Sequence, residues 1–307
     1  MASDWYLKTS SNWKLVNNAF VKVSGNWKEI QEGYIKVSGA WKQFYQAFVA
    51  TAFSTATANT TIVVPDGANA IHVQAAVGGG SGGVMGAEYD KAGGESAGAG
   101  GASGGYVSDQ VYSVTQGETL TLTIGAAGAK STGSSYNTTA GNGGNTVLSG
   151  STTGTIFTLT GGVGGSGTGG GVQGPLRSNN PSTAGTATVA ATVLTSGSFK
   201  ESDGSSASIP SATTLDNGPV GSYNSSGNGV AGTNPGNCGG DNCQITGGVG
   251  GASYNGNISG GAGGVASSSN GGDGSRGSGA GGGGAQGQTN GGDGGAGEIV
   301  YRFLRVQ

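Results

Sequence analysis

The sequence predicts a mostly β protein with little or no α-helix. N-terminal β-hairpin repeats come first, followed by a β-sandwich that carries an inserted bundle of packed polyglycine II helices. Three observations carry this reading. Residues 1–50 repeat with a period of 14, residues 51–160 alternate short strand patterns with turn residues, and most of the 70 glycines cluster in runs that hold almost nothing large. The domain organisation that follows is 1–50 as an attachment region and 51–307 as a glycine-rich unit. Within that unit, 51–160 and 298–307 form the sandwich and 161–297 the glycine insertion with its loops.

The repeat is read from its tryptophans. Trp13, Trp27 and Trp41 are each followed by a lysine (Lys14, Lys28, Lys42), and the register also holds for Phe20, Tyr34 and Phe48 and for the pairs Ser24-Gly25 and Ser38-Gly39. Each unit reads as strand, Ser-Gly turn, strand, with period-2 alternation. A unit this small cannot bury a face alone and must stack on a neighbour or on another chain. Packing predicts the tryptophans inward and the lysines solvated.

The sandwich strands are expected at TTIVVP (60–65), AIHVQAAV (70–77), YVSDQVYSV (106–114), ETLTLTIG (118–125), NTVLSG (145–150) and TIFTLTG (155–161). Turn chemistry in VPDGANAIHV and VTQGETLTL separates them. The closing EIVYRFLRV (298–306) has the strength of a core strand, so the C-terminus is expected to return and pair with the earlier sheet.

Runs such as GGGSGG (78–83), GGVGG (161–165) and GGVGGASYNGNISGGAGG (247–264) cannot build an apolar core. They are bounded by strand patterns and recur as Gly-Gly-X or Gly-X-X rather than as a serine-spaced linker. Several polyglycine II chains packed side by side can bond amide to carbonyl, because glycine lets backbones approach closely. On this reading valine at Gly263 or Gly282 lowers the melting temperature.

Composition excludes several function classes. Charged residues make up 9% of the chain, the net charge is −3, and no basic or aromatic run follows a nucleic-acid backbone. No apolar run is long enough to span a bilayer, and MASDWYLKTSSNWK lacks a secretory signal pattern, so synthesis in the cytosol is expected. The one histidine, His72, alternates with Ile71 and Val73 and reads as a surface strand residue rather than a base; no catalytic motif accompanies it, and no enzyme, cofactor or metal is expected. Asp273 and Asp293, in two NGGDG motifs, read as turn residues. Cys238 and Cys243 either close a small disulfide loop or remain reduced, and two thiols supply half of a tetrahedral metal shell.

The succession TTIVVPDGANAIHVQAAVGGGSGG, GGYVSDQVYSVTQGETLTLTIGAAG, GGNTVLSG, a glycine-rich insertion and GGDGGAGEIVYRF resembles the glycine-rich domain of bacteriophage tail fibres and receptor-binding proteins. The Trp-Lys repeats resemble those of phage virion structural proteins. The resemblance implies a virion protein, made in the host cytoplasm, whose loops bind a host surface protein or glycan and whose residues 1–50 attach to tail-fibre or tail proteins. Either a homotrimer or a monomer capping a trimer fits. Patches rich in Tyr, Ser, Asn and Gly have the composition of antibody paratopes, which selects Tyr89, Tyr136, Arg177, Tyr223 and Tyr254 as receptor-binding candidates. A fibre spacer or decoration protein without receptor is the alternative; an ice-binding face would need flatter, more regular loops.

Overall fold

The computed structural model describes residues 6–9, 12–15, 20–30, 32–46, 48–82, 100–132, 137–164, 166–168, 183–210, 273–274 and 290–307. Among them the chain is β throughout, in antiparallel sheets, with no helix.

The 14-residue repeat folds as three hairpins, β1 (Tyr6–Thr9) with β2 (Asn12–Leu15), β3 (Phe20–Val23) with β4 (Asn26–Glu29), and β5 (Glu32–Val37) with β6 (Ala40–Gln46). The Ser-Gly turns work as the sequence requires: Ser24 and Gly25 have φ of 50° and 87°, Ser38 and Gly39 of 51° and 84°. Two central residues at positive φ give the turn whose twist matches antiparallel strands. The registers coincide, with Lys8 opposite Trp13, Lys22 opposite Trp27 and Lys36 opposite Trp41.

The inward placement of the tryptophans is overturned at Trp27 and Trp41, while the Trp13 side chain lies outside the described ones. Trp27 is 68% exposed and Trp41 69%. Each ribbon pairs with no other strand among the described residues, and both faces of the β3–β4 and β5–β6 ribbons carry exposed apolar side chains. Each ring instead lies beneath the lysine across the ladder, with Lys22 Nζ 5.8 Å and Lys36 Nζ 5.9 Å from the ring centroids.

The sandwich follows as β7 (Ser54–Ala56), β8 (Thr60–Val63), β9 (Ala70–Val77), β10 (Tyr106–Ser113), β11 (Thr119–Thr123), β12 (Asn137–Thr139), β13 (Thr146–Gly150), β14 (Gly154–Leu159), β15 (Ser166–Thr168), β16 (Ala187–Val189), β17 (Ser198–Lys200), β18 (Ser206–Ser208) and β19 (Glu298–Leu304). One sheet has the order β10-β9-β19-β7 and the other β16-β14-β13-β11-β8; β12 pairs with β15 and β17 with β18. The C-terminal strand β19 lies between β9 and β7, as its apolar sequence demands. The strand β16 extends the five-stranded sheet from within the segment read as an insertion.

Alternate residues of the two sheets meet in one core that includes Ile71, Val73, Tyr112, Leu120, Leu122, Leu148, Phe157 and Ile299. Burying each large side chain contributes roughly 1.5–3 kcal/mol. Tyr112 faces Phe157 with ring centroids 5.8 Å apart. Its buried hydroxyl has no hydrogen-bond partner among the described residues, and burial pushes its pKa far up. A desolvated, unpaired hydroxyl costs about 1–3 kcal/mol, so Tyr112→Phe is expected to raise the thermal midpoint. A lower midpoint would show that the hydroxyl has a partner.

Beyond the sheet ends the glycine runs form a second kind of core. Segments 78–82, 100–105, 124–132, 140–145, 160–164, 183–186 and 290–297 are joined by backbone hydrogen bonds outside any strand ladder, among them Gly79 N to Gly144 O at 2.9 Å, Gly162 N to Gly79 O at 2.9 Å, Gly128 N to Gly80 O at 2.8 Å and Gly80 N to Gly295 O at 2.8 Å. These glycines are not there for handedness, since none of them has positive φ. They are there for proximity. A Cβ on Gly78 would lie 2.7 Å from Thr160 O, and one on Gly79 or Gly143 would overlap a neighbouring carbonyl oxygen. Small residues share the interior with the glycines, among them the buried Ser81, Ala102 and Ser103. Much of the bundle thus comes from connections between sandwich strands, while most of 161–297, where polyglycine II is expected, lies outside the described residues.

Candidate functional site

The bundle leaves the sandwich from one end. Val77, which ends β9, lies opposite Tyr106 and Glu298, where β10 and β19 begin. In the other sheet Thr146 lies opposite Leu159, and Leu159 opposite Ala187. The buried Thr146 hydroxyl ties the two sheet ends together, donating to Val77 O at 2.8 Å and accepting from Gly125 N at 2.9 Å. Chain excursions that start here and return here are held side by side by the glycine lattice.

At its outer margin the lattice joins the two NGGDG motifs. Asp293 Oδ1 accepts from Lys130 N at 2.9 Å, Asp293 N donates to Asp273 Oδ1 at 2.9 Å, and Gly274 N donates to Asp293 O at 2.7 Å. The two aspartates are therefore cross-segment acceptors and do more than shape their own turns. With Asp293 gone, Lys130 N and the Lys130 ammonium, 3.6 Å from the second carboxylate oxygen, both lose a partner. Asp293→Ala is expected to lower the thermal midpoint by about 2–4 °C, the shift for roughly 1 kcal/mol in a chain of this size; an unchanged midpoint would show that water replaces the joint.

Tyr89, Tyr136, Arg177, Tyr223 and Tyr254 lie outside the described residues, as do Cys238 and Cys243. In chain order Tyr89 falls between 82 and 100 and Tyr136 between 132 and 137, each flanked by described segments of the glycine-rich end; Arg177 falls between 168 and 183, and Tyr223 and Tyr254 between 210 and 273.

Sequence reading missed a polar cluster on the outer face of the four-stranded sheet. His72, expected at the surface, is 3% exposed, because Phe53 and the β17–β18 hairpin cover that face. Its Nδ1 accepts from Arg302 Nε at 3.2 Å, which leaves the proton on Nε2, 3.4 Å from Asp109 Oδ1. Arg302 in turn donates to both carboxylate oxygens of Glu201, at 2.7 and 3.1 Å, and its guanidinium sits 4.5 Å from the Phe53 ring centroid and 5.1 Å from that of Phe199. Asp109 takes its place through a φ of 48°, opposite the point where β19 slips register on β9. With both ring nitrogens engaged, His72 serves to hold the hairpin against the sheet.

Burial, then the Arg302 charge, lower the His72 pKa from its usual 6.5, with Asp109 opposing. The unfolded chain therefore takes up a proton near pH 6.5 that the folded chain refuses, so this site costs stability as pH falls below about 6.5. The thermal midpoint is expected to drop between pH 7.5 and 5.5 by more than in His72→Gln; parallel profiles would remove His72 as the cause.

A buried carboxylate elsewhere, that of Glu118, has a plain local role. Glu118 is pushed up by burial, yet hydrogen bonds from the Thr153 hydroxyl and from the Thr115, Thr153 and Thr152 amides hold its pKa below the usual carboxylate range. It pins the turn between β13 and β14 to the start of β11.

No curated protein matches the chain. A family model described as a glycine-rich domain matches residues 54–304, from the first residue of β7 to the last of β19, and so takes in both sandwich sheets and every described segment of the bundle. On that match the chain belongs to the glycine-rich domain family.

Proposed function

We propose that the chain is a bacteriophage tail-fibre tip adhesin, which binds a host outer-membrane protein or surface glycan through segments carried by the glycine bundle, while residues 1–50 attach it to the tail or fibre. The observation that supports this reading most is the lattice itself. Backbone hydrogen bonds fix many chain excursions at one end of a sandwich, and loops held on a rigid scaffold are where recognition usually sits. The sequence supplies those excursions with Tyr89, Tyr136, Tyr223, Tyr254 and Arg177 among small polar residues, and tyrosine gives contact area at low entropic cost.

Purified protein is expected to adsorb to one bacterial strain and to block infection of it. Adsorption that survives deletion of 175–245 would remove the assignment to Arg177 and Tyr223. Failure to adsorb to any strain that the phage infects would leave the spacer or decoration reading in its place.

A further inference from the structure

The large hydrophobic side chains exposed among the described residues concentrate in the N-terminal hairpins: Val21, Val23, Trp27, Tyr34, Ile35, Val37 and Trp41, against Phe53, Val63 and Val163 elsewhere. A patch of this kind marks an interaction surface, and an isolated two-stranded hairpin is marginal in water. The ladder registers show which side chains share a face. Lys22 and Trp27 are directly opposed, as are Lys36 and Trp41, and Tyr34 lies two residues from Lys36, so these form one face of each ribbon. Val21 and Val23, and Ile35 and Val37, alternate with them and occupy the other face.

Both faces are open. On the aromatic face Trp27 and Trp41 are more than two-thirds exposed, and on the aliphatic face the four side chains are 41–54% exposed. This two-sidedness restricts what can cover the hairpins. An isologous dimer buries the same face on both copies and leaves the other bare. Stacking the hairpins within one chain leaves the outermost faces bare. A heterologous contact, aromatic face on aliphatic face, covers both, and with two copies it cannot close. The repeat suits such a contact, because the β3–β4 and β5–β6 hairpins present the same surface in the same register and a second copy engages both at once.

We propose that residues 20–46 assemble copies of this chain into a closed ring of three or more, the aromatic face of the β3–β4 and β5–β6 hairpins packed on the aliphatic face of the next copy. Residues 1–47 carry six lysines against three carboxylates. These charges sit on long stems that can reach solvent past an apolar contact, and their repulsion is screened by salt. Assembly should therefore strengthen between 50 and 500 mM NaCl, whereas capture of an acidic partner protein would weaken. The inference does not depend on host binding.

The test is the mass of the full-length chain in solution, by light scattering on a sizing column or by sedimentation. A single species of at least three times 29.4 kDa is expected. The aromatic-face variant Trp27→Ser/Trp41→Ser and the aliphatic-face variant Val21→Ser/Ile35→Ser should each be monomeric with the thermal midpoint of the glycine-rich unit unchanged. Mixed, they should form a one-to-one pair, because one intact aromatic face then meets one intact aliphatic face. A monomeric or dimeric wild type at tens of micromolar, a polydisperse filament, assembly lost in only one of the two variants, or a mixture that fails to pair would each overturn the proposal.

Discussion

Gly79→Val is expected to lower the thermal midpoint by about 10 °C or more. Gly79 sits where segments 78–82, 124–132, 140–145 and 160–164 meet. Its amide donates to Gly144 O and its carbonyl accepts from Gly162 N, both at 2.9 Å. An added Cβ would overlap Ala126 O and lie 2.9 Å from Gly144 N. These neighbours are backbone atoms, themselves bonded, so none can rotate aside as a side chain would. Separating the segments by enough to admit even one methyl group opens several buried hydrogen bonds at once. Each donor left unpaired costs about 1–3 kcal/mol, which brings the total to roughly 4 kcal/mol or more, and each kcal/mol is worth about 2–4 °C here.

Gly154→Asn serves as the control. That glycine has φ of 77° with nothing within 4 Å of its added Cβ, and asparagine tolerates the left-handed region, so the midpoint should move by only a few degrees. Equal shifts in the two variants would show that the lattice contributes no more than a turn does. The same valine substitution at Gly263 and Gly282 then asks how far the lattice extends into 161–297.

These expectations show which parts of the molecule could be read from its residues. Strands whose pattern is strong in isolation were legible: AIHVQAAV forms β9 over its full length, and EIVYRFL forms β19. The Ser-Gly turns were legible because glycine takes positive φ without steric cost, and a two-residue connection between strand patterns requires it. The strands β7, β16, β17 and β18 were not, since three residues carry no periodicity: β7 and β16 form on the longer β19 and β14, and β17 and β18 form only on each other. The tryptophans misled for a related reason. Repetition announces that a face will be covered but does not say by what, and within one chain Trp27 and Trp41 stay exposed. His72 misled because alternation assigns a residue to a face without saying what packs on that face. The five receptor-binding candidates come from composition alone and lie outside the described residues, so they stand as part of the proposed function.

The His72 cluster gives the second large effect, since its members come from residues 53, 72, 109, 199, 201 and 302 and no local pattern joins them. Arg302→Met is expected to cost about 2–3 kcal/mol, read from denaturant unfolding. Breaking a buried pair by removing one partner usually costs 3–5 kcal/mol, because the remaining charge is left desolvated. The Glu201 side chain is 30% exposed and that of Arg302 13%, so water recovers part of that cost. The loss should not be additive. With Glu201→Met also in place no charge is stranded, the methionines can fill the gap between Phe53 and Phe199, and the double variant should be more stable than the sum of the singles predicts. Because the Arg302 charge is one cause of the lowered His72 pKa, its removal should also bring that pKa closer to 6.5 and shrink the loss of stability below that pH. An additive cycle would deny that Arg302 and Glu201 act as a pair, and an unchanged pH profile would deny that the Arg302 charge adds to burial in keeping His72 neutral.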